Sequence, residues 1–170
     1  MKEIDFRYDL LPLKDKLFRL ALRITLDTAE AEDITQDTLI RVWTRRDELK
    51  ELASLEAYCL TICRNLALDR SEKKVAQHVS LDEHCRETAD SVRPPDEEMD
   101  HREKLRRVND IFNSLPERQR TVMQLRDIEG RSCRETAEIM GTTEDWVKVT
   151  LHRARQAVRK QYEKIENYGL

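Results

Sequence analysis

Glycine, proline and aromatic residues are scarce in this sequence. Among its 170 residues there are 3 glycines and 4 prolines, and aromatic residues make up 5%. Few positions therefore interrupt a helix. Charged residues reach 38%, a proportion that suits amphipathic helices with solvated faces. The composition predicts an all-α protein, and the length allows one ordinary domain or two small ones.

Closely paired cysteines are also missing. The four cysteines are scattered, without a C-x-x-C motif, and this spacing indicates neither a disulfide framework nor a zinc ribbon. Cys59 and Cys63 are one helical turn apart and His84 precedes Cys85, so a metal site is conceivable. Small buried cysteines are the favoured interpretation, and we expect no metal.

Long apolar runs and catalytic motifs are absent as well. No apolar run approaches the roughly 20 residues that span a bilayer, and the charged residues 1–5 lack the apolar core of a signal peptide. We therefore expect a cytoplasmic protein with no direct membrane insertion. The sequence has no Ser-His-Asp order, glycine-rich phosphate loop or H-E-x-x-H motif, so we expect neither an enzyme nor a cofactor.

Charge divides the chain into three parts. Residues 1–74 hold 14 basic and 15 acidic residues, residues 75–101 hold 2 and 8, and residues 102–170 hold 15 and 11. The middle part has no apolar periodicity and contains Pro94-Pro95, which is typical of a linker; a solvated connector without a binding role is its simplest interpretation. The predicted organisation is two small helical domains, 1–74 and 103–170, joined by an acidic flexible linker, 75–102.

The first 74 residues predict a bundle of three amphipathic helices. The first helix ends near Leu26, and Asp27 is a suitable N-cap for the second, which runs to about Asp47. The third helix begins after Ser54. The apolar residues that recur at helical spacing in the three helices are, in order, Leu13, Leu17, Leu20 and Ile24; Ile34, Leu39, Val42 and Trp43; Leu55, Tyr58, Ile62 and Leu66.

The last third of the chain predicts a helix-turn-helix. Pro116 suits the first turn of a helix, and Ser132 with the glutamate three residues later predicts a capping box for a short helix. Gly141 can take the left-handed conformation that a sharp exit requires, and Thr142 is expected to cap the last helix. The helix after the proline should be lined by Val122, Leu125 and Ile128.

The last helix separates an apolar face from a basic one. At 100° per residue the apolar face holds Val147, Leu151, Ala154 and Val158, and the opposite face holds Asp145, Lys148, Val149, His152, Arg153 and Gln156. The second face offers long donors for guanine or phosphate and an apolar contact for a thymine methyl. A solvated charged face is the alternative, but the short preceding helix, the turn and the caps favour a DNA-recognition helix.

Three blocks of sequence carry a family resemblance. They are Leu17–Ala21 with Ala31–Trp43 (AEDITQDTLIRVW), Ala57–Asp69, and Leu115–Arg120 with the helix-turn-helix through Arg155. In this order and spacing the chain resembles the extracytoplasmic-function group of bacterial RNA polymerase sigma factors, the small members of the sigma-70 family. It departs from many relatives at Leu26, where glycine is common, and at the start of the last helix, where Asp145–Thr150 lacks a small hydroxyl and an arginine.

The resemblance implies that residues 1–74 form sigma region 2, which docks on the β′ clamp of core RNA polymerase and melts the −10 promoter element. The loop Asp47–Ser54 takes the place of the base-capturing loop. The implied clamp-binding residues are Asp33, Gln36, Asp37 and Trp43. The residues implied to face the −10 strand are Arg64, Asn65 and Asp69.

The resemblance also implies that residues 103–170 form sigma region 4, which reads the −35 element and touches the polymerase β flap. The implied base-reading positions are Lys148, Val149, His152 and Arg153, on the face that the helical periodicity selects independently. Contacts to the DNA backbone are expected from Arg155, Arg159 and Lys160. The acidic linker would imitate RNA in the polymerase cleft, and an anti-sigma factor is an expected partner.

The sequence is compatible with two functions. The first is a promoter-specificity subunit that binds core RNA polymerase, steers it to promoter DNA and opens the duplex without catalysis of its own. The second is a free-standing helix-turn-helix regulator that binds an operator without polymerase, usually as a dimer on two half-sites. A chain of net charge −3 with one short basic helix should bind DNA poorly alone, which favours the first.

Overall fold

The computed structural model describes residues 3–80 and 101–167, with side chains at 3–74 and 101–166. Within these ranges the chain forms seven α-helices and no strand, which confirms the all-α prediction. The first module contains α1 (Lys14–Thr25), α2 (Thr28–Thr44) and α3 (Leu55–Ser80). The second contains α4 (His101–Ser114), α5 (Glu117–Met123), α6 (Cys133–Met140) and α7 (Glu144–Asn167). Shorter helical turns are formed by Phe6–Leu10, Leu11–Leu13, Arg46–Leu49 and Gln124–Ile128.

The α1–α2 corner is built by two adjacent residues. Leu26 takes a left-handed conformation with φ of 57°, and its N–H donates to the carbonyl oxygen of Leu22 at 2.7 Å. Asp27 then caps α2, because its Oδ1 accepts from the N–H of Glu30 at 3.1 Å. The predicted end of α1 and the predicted cap are both confirmed. A leucine in this conformation carries a steric cost of roughly 1–2 kcal/mol that glycine would avoid.

The core of the first module follows the predicted apolar stripes. Leu17, Leu20, Ile34 and Val42 are completely buried, and α1 packs against both α2 and α3. Helix α3 continues to Ser80, past the predicted start of the linker. The central part of that predicted linker, 81–100, lies outside the described residues.

The prediction for Ile128 was wrong. Val122 and Leu125 are buried as predicted, but Ile128 is 48% exposed. The chain widens into a π-helical turn at Gln124–Ile128. Such a turn holds more residues than an α-helical turn, so the apolar periodicity of α5 does not extend to Ile128, and Glu129 is buried next to it.

The two modules pack directly on each other. Helix α1 lies against α5 and the π-helical turn, and α3 lies against α6. Buried apolar residues of both modules, from Leu10 through Ala67 and from Val122 through Leu151, form one continuous cluster. The sequence did not predict this contact. Of the helices in the described ranges, none has the length and apolar character needed to cross a membrane.

Asp27 provides a test of the α1–α2 corner. Its carboxylate pairs with Lys74, and this bond together with the Glu30 N–H lowers the pKa of Asp27. We expect Asp27→Ala to lower the free energy of unfolding by about 1 kcal/mol at pH 7. Stabilisation by a carboxylate with a lowered folded-state pKa is complete above the unfolded value of about 3.9 and is lost as the pH falls through the folded value.

Urea titrations of wild type and Asp27→Ala between pH 7 and pH 2.5 measure this effect, and the stability difference should shrink as the pH falls. Asp27→Asn is the matched control: it keeps a side-chain acceptor for the cap and should lose only the part that depends on Lys74. A difference that stays constant across the titration would contradict the assignment.

Candidate nucleic-acid interface

The second module places α6 and α7 as a helix-turn-helix. Ser132 Oγ accepts from the N–H of Glu135 at 3.0 Å, so the serine caps α6. The reciprocal half of the predicted capping box, a bond from the Ser132 N–H to the Glu135 carboxylate, is not formed among the described residues. The Glu135 carboxylate pairs with Arg131 at 3.2 Å. Gly141 takes the predicted left-handed conformation, with φ of 67°, and allows α7 to leave at a sharp angle.

The cap of α7 differs by one residue from the prediction. Thr143 Oγ1, not Thr142, accepts from the N–H of Trp146 at 3.2 Å. Helix α7 begins at Glu144, so Thr143 occupies the N-cap position and Thr142 precedes it in the turn. This cap fixes where helix α7 starts.

The first turns of α7 present the predicted outward face. Val147, Leu151 and Ala154 are buried against the rest of the module, and the opposite face is exposed. That face brings together all four predicted base-reading residues, Lys148, Val149, His152 and Arg153. The side chain of Val149 is apolar and 49% exposed, which leaves an unpartnered apolar group between long hydrogen-bond donors.

The predicted backbone-contacting residues fall into two groups. Arg159 and Lys160 are exposed farther along α7. Arg155 instead forms a two-pronged ion pair with Asp127, in which Nε lies 3.0 Å from Oδ2 and Nη2 bonds Oδ1. These hydrogen bonds raise the pKa of Arg155. Arg155 therefore ties α7 to the π-helical turn, a role that the sequence pattern did not reveal.

The residues predicted to face the −10 strand all belong to α3, but they do not lie on a single surface of that helix. Asn65 and Asp69 are exposed one turn apart. Arg64 is half-buried beneath α6, where its Nη1 donates to the carbonyl oxygen of Ile139 at 3.5 Å. Burial lowers the pKa of Arg64. Asn65 and Asp69 are therefore more accessible to solvent than Arg64.

The predicted polymerase-binding residues lie on the exposed side of α2. The side chain of Asp33 is 59% exposed and that of Asp37 is 38% exposed, and Gln36 lies between them on the surface. Arg70 of α3 bonds the carboxylates of Asp33 and Asp37 and also that of Glu30. Sequence reasoning missed Arg70, because its partners precede it by 33 to 40 residues.

Trp43 is less accessible than the other residues of this group. Its ring packs edge to face with Phe6, at 5.6 Å between centroids, and the guanidinium of Arg46 lies 4.1 Å from the ring centre. The same helix exposes Ile40 to 60%. Ile40 follows Asp33 by seven residues and Gln36 by four, spacings that place all three on one helical face.

The cysteines do not form part of these surfaces. Cys59 and Cys63 are buried, and burial raises the pKa of each thiol to about 12. Cys63 Sγ donates to the carbonyl oxygen of Leu17 at 3.3 Å, which is the behaviour of a small core residue. His84 and Cys85 lie outside the described residues. In the described part of the chain no cluster of three or more acidic, histidine or cysteine side chains could hold a metal ion.

The cap of α7 can be tested with a neighbouring control. We expect Thr143→Ala to lower the free energy of unfolding by about 1 kcal/mol, because the N–H of Trp146 loses its acceptor. Thr142→Ala should change it by less than about half as much, since the Thr142 hydroxyl only donates to the carbonyl of Thr143, at 3.4 Å. Chemical denaturation of the two variants measures both values, and a larger loss for Thr142→Ala would reverse the assignment.

Comparisons with known proteins agree with the fold and the order of the two modules. The family profile described as sigma-70 region 2 matches residues 12–76, and the profile described as sigma-70, region 4 matches residues 105–158. In solved structures, the sigma factor RpoE in complex with the anti-sigma factor NepR from Bartonella quintana is 25% identical, with a TM-score of 0.75 over 95% of this chain and 98% of that one. CnrH in complex with the cytosolic domain of CnrY shares the fold, with a TM-score of 0.65 at 21% identity over 90% of this chain and 84% of that one.

Curated relatives match over nearly the same extent. The ECF RNA polymerase sigma factor SigW of Bacillus subtilis is 32% identical over 87% of this chain and 83% of its own length. The ECF RNA polymerase sigma factor SigL of Mycobacterium tuberculosis is 32% identical over 84% of this chain and 80% of its own. The two modules, their order and these relatives together show that the chain belongs to the extracytoplasmic-function group of the sigma-70 family of RNA polymerase sigma factors.

Proposed function

We propose that the two modules divide promoter recognition between them. As a sigma factor, the protein binds core RNA polymerase and directs it to promoters. In our proposal α7 reads the −35 element as duplex DNA, α3 contacts the −10 strand, and α2 docks on the β′ clamp. In this proposal the protein performs no catalysis of its own, and RNA synthesis takes place in the polymerase active site. Residues 1–74 act as region 2 and residues 103–170 as region 4.

The observation that carries this proposal is the exposed face at the start of α7. Lys148, His152 and Arg153 form no hydrogen bond or ion pair with any described residue, whereas Arg155, on the adjacent side, is paired. Unpaired long donors around an exposed valine suit the major groove, where guanine offers two acceptors and thymine a methyl group. Arg159 and Lys160 extend the basic surface toward the phosphates.

The face on α2 supports docking on a basic partner. Asp33, Gln36 and Asp37 are solvent-accessible at helical spacing, with Ile40 in the same stripe. An acidic rim around an exposed apolar side chain is suited to a protein surface that is basic around an apolar pocket. Arg70 holds the carboxylates in place before docking, which reduces the conformational freedom lost on binding. An anti-sigma factor would inhibit the protein by covering such a face.

Run-off transcription on a promoter library, with core polymerase in the presence and absence of this protein, tests the function as a whole. We expect promoter-dependent initiation only with both components. Tight operator binding by the protein alone, without promoter-dependent initiation, would favour a free-standing regulator instead.

Arg153→Ala tests the exposed face of α7 that holds Lys148, Val149, His152 and Arg153. It should weaken recognition of the upstream promoter element by roughly 5- to 100-fold, the range for losing a base-contacting arginine, and should leave core polymerase binding unchanged. Filter binding and transcription by the reconstituted holoenzyme on promoters that vary in the upstream element measure the loss. Arg106→Ala, at an exposed arginine of α4, is the control. Loss of polymerase binding in Arg153→Ala would contradict the assignment.

Asp37→Asn tests the docking face of α2, which is formed by Asp33, Gln36, Asp37 and Ile40. An asparagine oxygen can still accept from Arg70, so the module should keep its fold while losing one negative charge. Affinity for core polymerase should fall about twofold to fivefold, the value of one charge pair near a protein surface, and should depend less on salt concentration. Glu72→Gln, at an exposed acidic residue of α3, is the control and should not change the affinity for core polymerase. Equal affinities of the two variants would place the docking face elsewhere.

A further inference from the structure

Asp145 lies at the N-terminal end of the exposed face of α7. The residue follows the Thr143 cap by two positions, so it belongs to the first turn of the helix. At 3.6 residues per turn it falls about 20° from His152 and about 40° from Val149 around the helix axis. Asp145 is therefore near the middle of this face, although the four predicted base-reading residues do not include it.

The Asp145 carboxylate has no partner within the described part of the protein. Asp145 is exposed and forms no hydrogen bond or ion pair with any described residue. By contrast, Asp127, Glu135 and Glu138 of the same module each pair with an arginine. The carboxylate of Asp145 is thus free to accept hydrogen bonds from a ligand.

A free carboxylate is an unfavourable group on a surface that meets DNA. Phosphates on both sides of a groove repel it, and the loss of its water costs free energy unless another donor replaces that water. Lys148 and Arg153 on the same face attract the phosphates, whereas Asp145 opposes them. An acidic side chain at this place therefore disfavours every DNA sequence that offers it no donor.

The major-groove edges of the four bases differ in how well they suit a carboxylate. Cytosine presents the N4 amino donor, and adenine presents the N6 donor next to the N7 acceptor. Guanine and thymine present acceptors. An ionised carboxylate can only accept hydrogen bonds, so acceptors repel it. Cytosine is the one base that offers a donor without an acceptor on its own edge.

Lys148 supplies the complementary charge beside Asp145. It is exposed and follows Asp145 by three residues, a spacing that makes two side chains neighbours on a helix surface. In a C·G pair the cytosine offers a donor and the guanine offers two acceptors. An acidic side chain next to a basic one therefore matches the edge of this pair in one orientation and mismatches the reversed pair.

We propose that Asp145 is a specificity-determining residue that accepts a hydrogen bond from a cytosine N4 amino group in the −35 element, with Lys148 donating to guanine beside it. The assignment rests on the proposed function of α7. Asp145 precedes Val149 by four residues, or about 6 Å along the helix. The cytosine should therefore lie about one or two base pairs, at 3.4 Å each, from the base that meets the valine.

Sequencing of run-off transcripts from a promoter library randomised in the upstream element tests this assignment in the reconstituted holoenzyme. Wild type should prefer cytosine at one position, and every other base there should lower initiation about 5- to 150-fold, the range for one specific base contact. Asp145→Ala should remove the preference at this position and keep the preferences at the others. It should also initiate more efficiently than wild type on promoters that lack the cytosine, because the repulsion is gone.

Asp145→Asn keeps the shape of the side chain and changes its hydrogen-bonding pattern. An asparagine amide pairs with the N6 and N7 groups of adenine, so the preference at this one position should change from cytosine to adenine. An acidic residue in a first turn also stabilises its helix. A loss of stability would lower initiation at all promoters alike, and it cannot exchange one base preference for another.

Glu144→Gln is the matched control. Glu144 is exposed and adjacent to Asp145, but it lies about 100° away around the helix axis, toward the buried side. The substitution removes the same charge from the same turn and should leave every base preference unchanged. A change of the cytosine preference in Glu144→Gln as large as that in Asp145→Ala would overturn the assignment.

Selection of randomised duplexes by the 170-residue chain alone, at low salt concentration, separates this inference from the proposed function. If wild type starts no promoter-dependent transcription but selects a cytosine that Asp145→Ala no longer requires, the proposed function fails and the base assignment stands. If wild type and Asp145→Ala have the same preference at every position in both experiments, the base assignment is wrong.

Discussion

The packing of α1 is the constraint on which the rest of the structure depends. One side of this 12-residue helix buries Leu17, Leu20 and Ile24 within the first module. Arg19 and Arg23 project from another side, four residues apart, and reach the second module. Residues at these spacings have fixed angular positions on a helix, so a rotation of α1 that disturbed the apolar core would also move both arginines. The internal packing of one module and its contact with the other are therefore mechanically coupled.

Local sequence signals predicted much of this structure because their physics acts over a few residues. The caps at Asp27 and Ser132 and the left-handed Gly141 depend on groups within three positions of one another. The two faces of α7 follow from helical periodicity alone. Where the helical repeat changes, the same logic fails, and the π-helical turn exposes Ile128. The cap of α7 also lies one residue later than predicted, at Thr143 instead of Thr142.

Contacts between distant residues were not predictable in the same way. Arg19 and Glu129 are 110 residues apart, and Arg70 meets carboxylates that precede it by more than 30 positions. Nothing in the periodicity or composition pairs these charges, because the pairing arises only when packed helices bring them together. The residues predicted to lie on the surface are exposed on α7, and most of those on α2 are exposed as well. The sequence could not show that α6 covers Arg64 or that Asp127 binds Arg155.

The chain contains two tryptophans, and the fold places one in each module. Trp43 packs edge to face with Phe6 beside Arg46. Trp146 lies in the first turn of α7, and the guanidinium of Arg118 is 6.0 Å from its ring centre. The indoles thus sit in chemically different surroundings, each near a different proposed binding face. The protein consequently carries two built-in fluorophores, and replacing either one with phenylalanine leaves an optical signal that follows a single module without any attached dye.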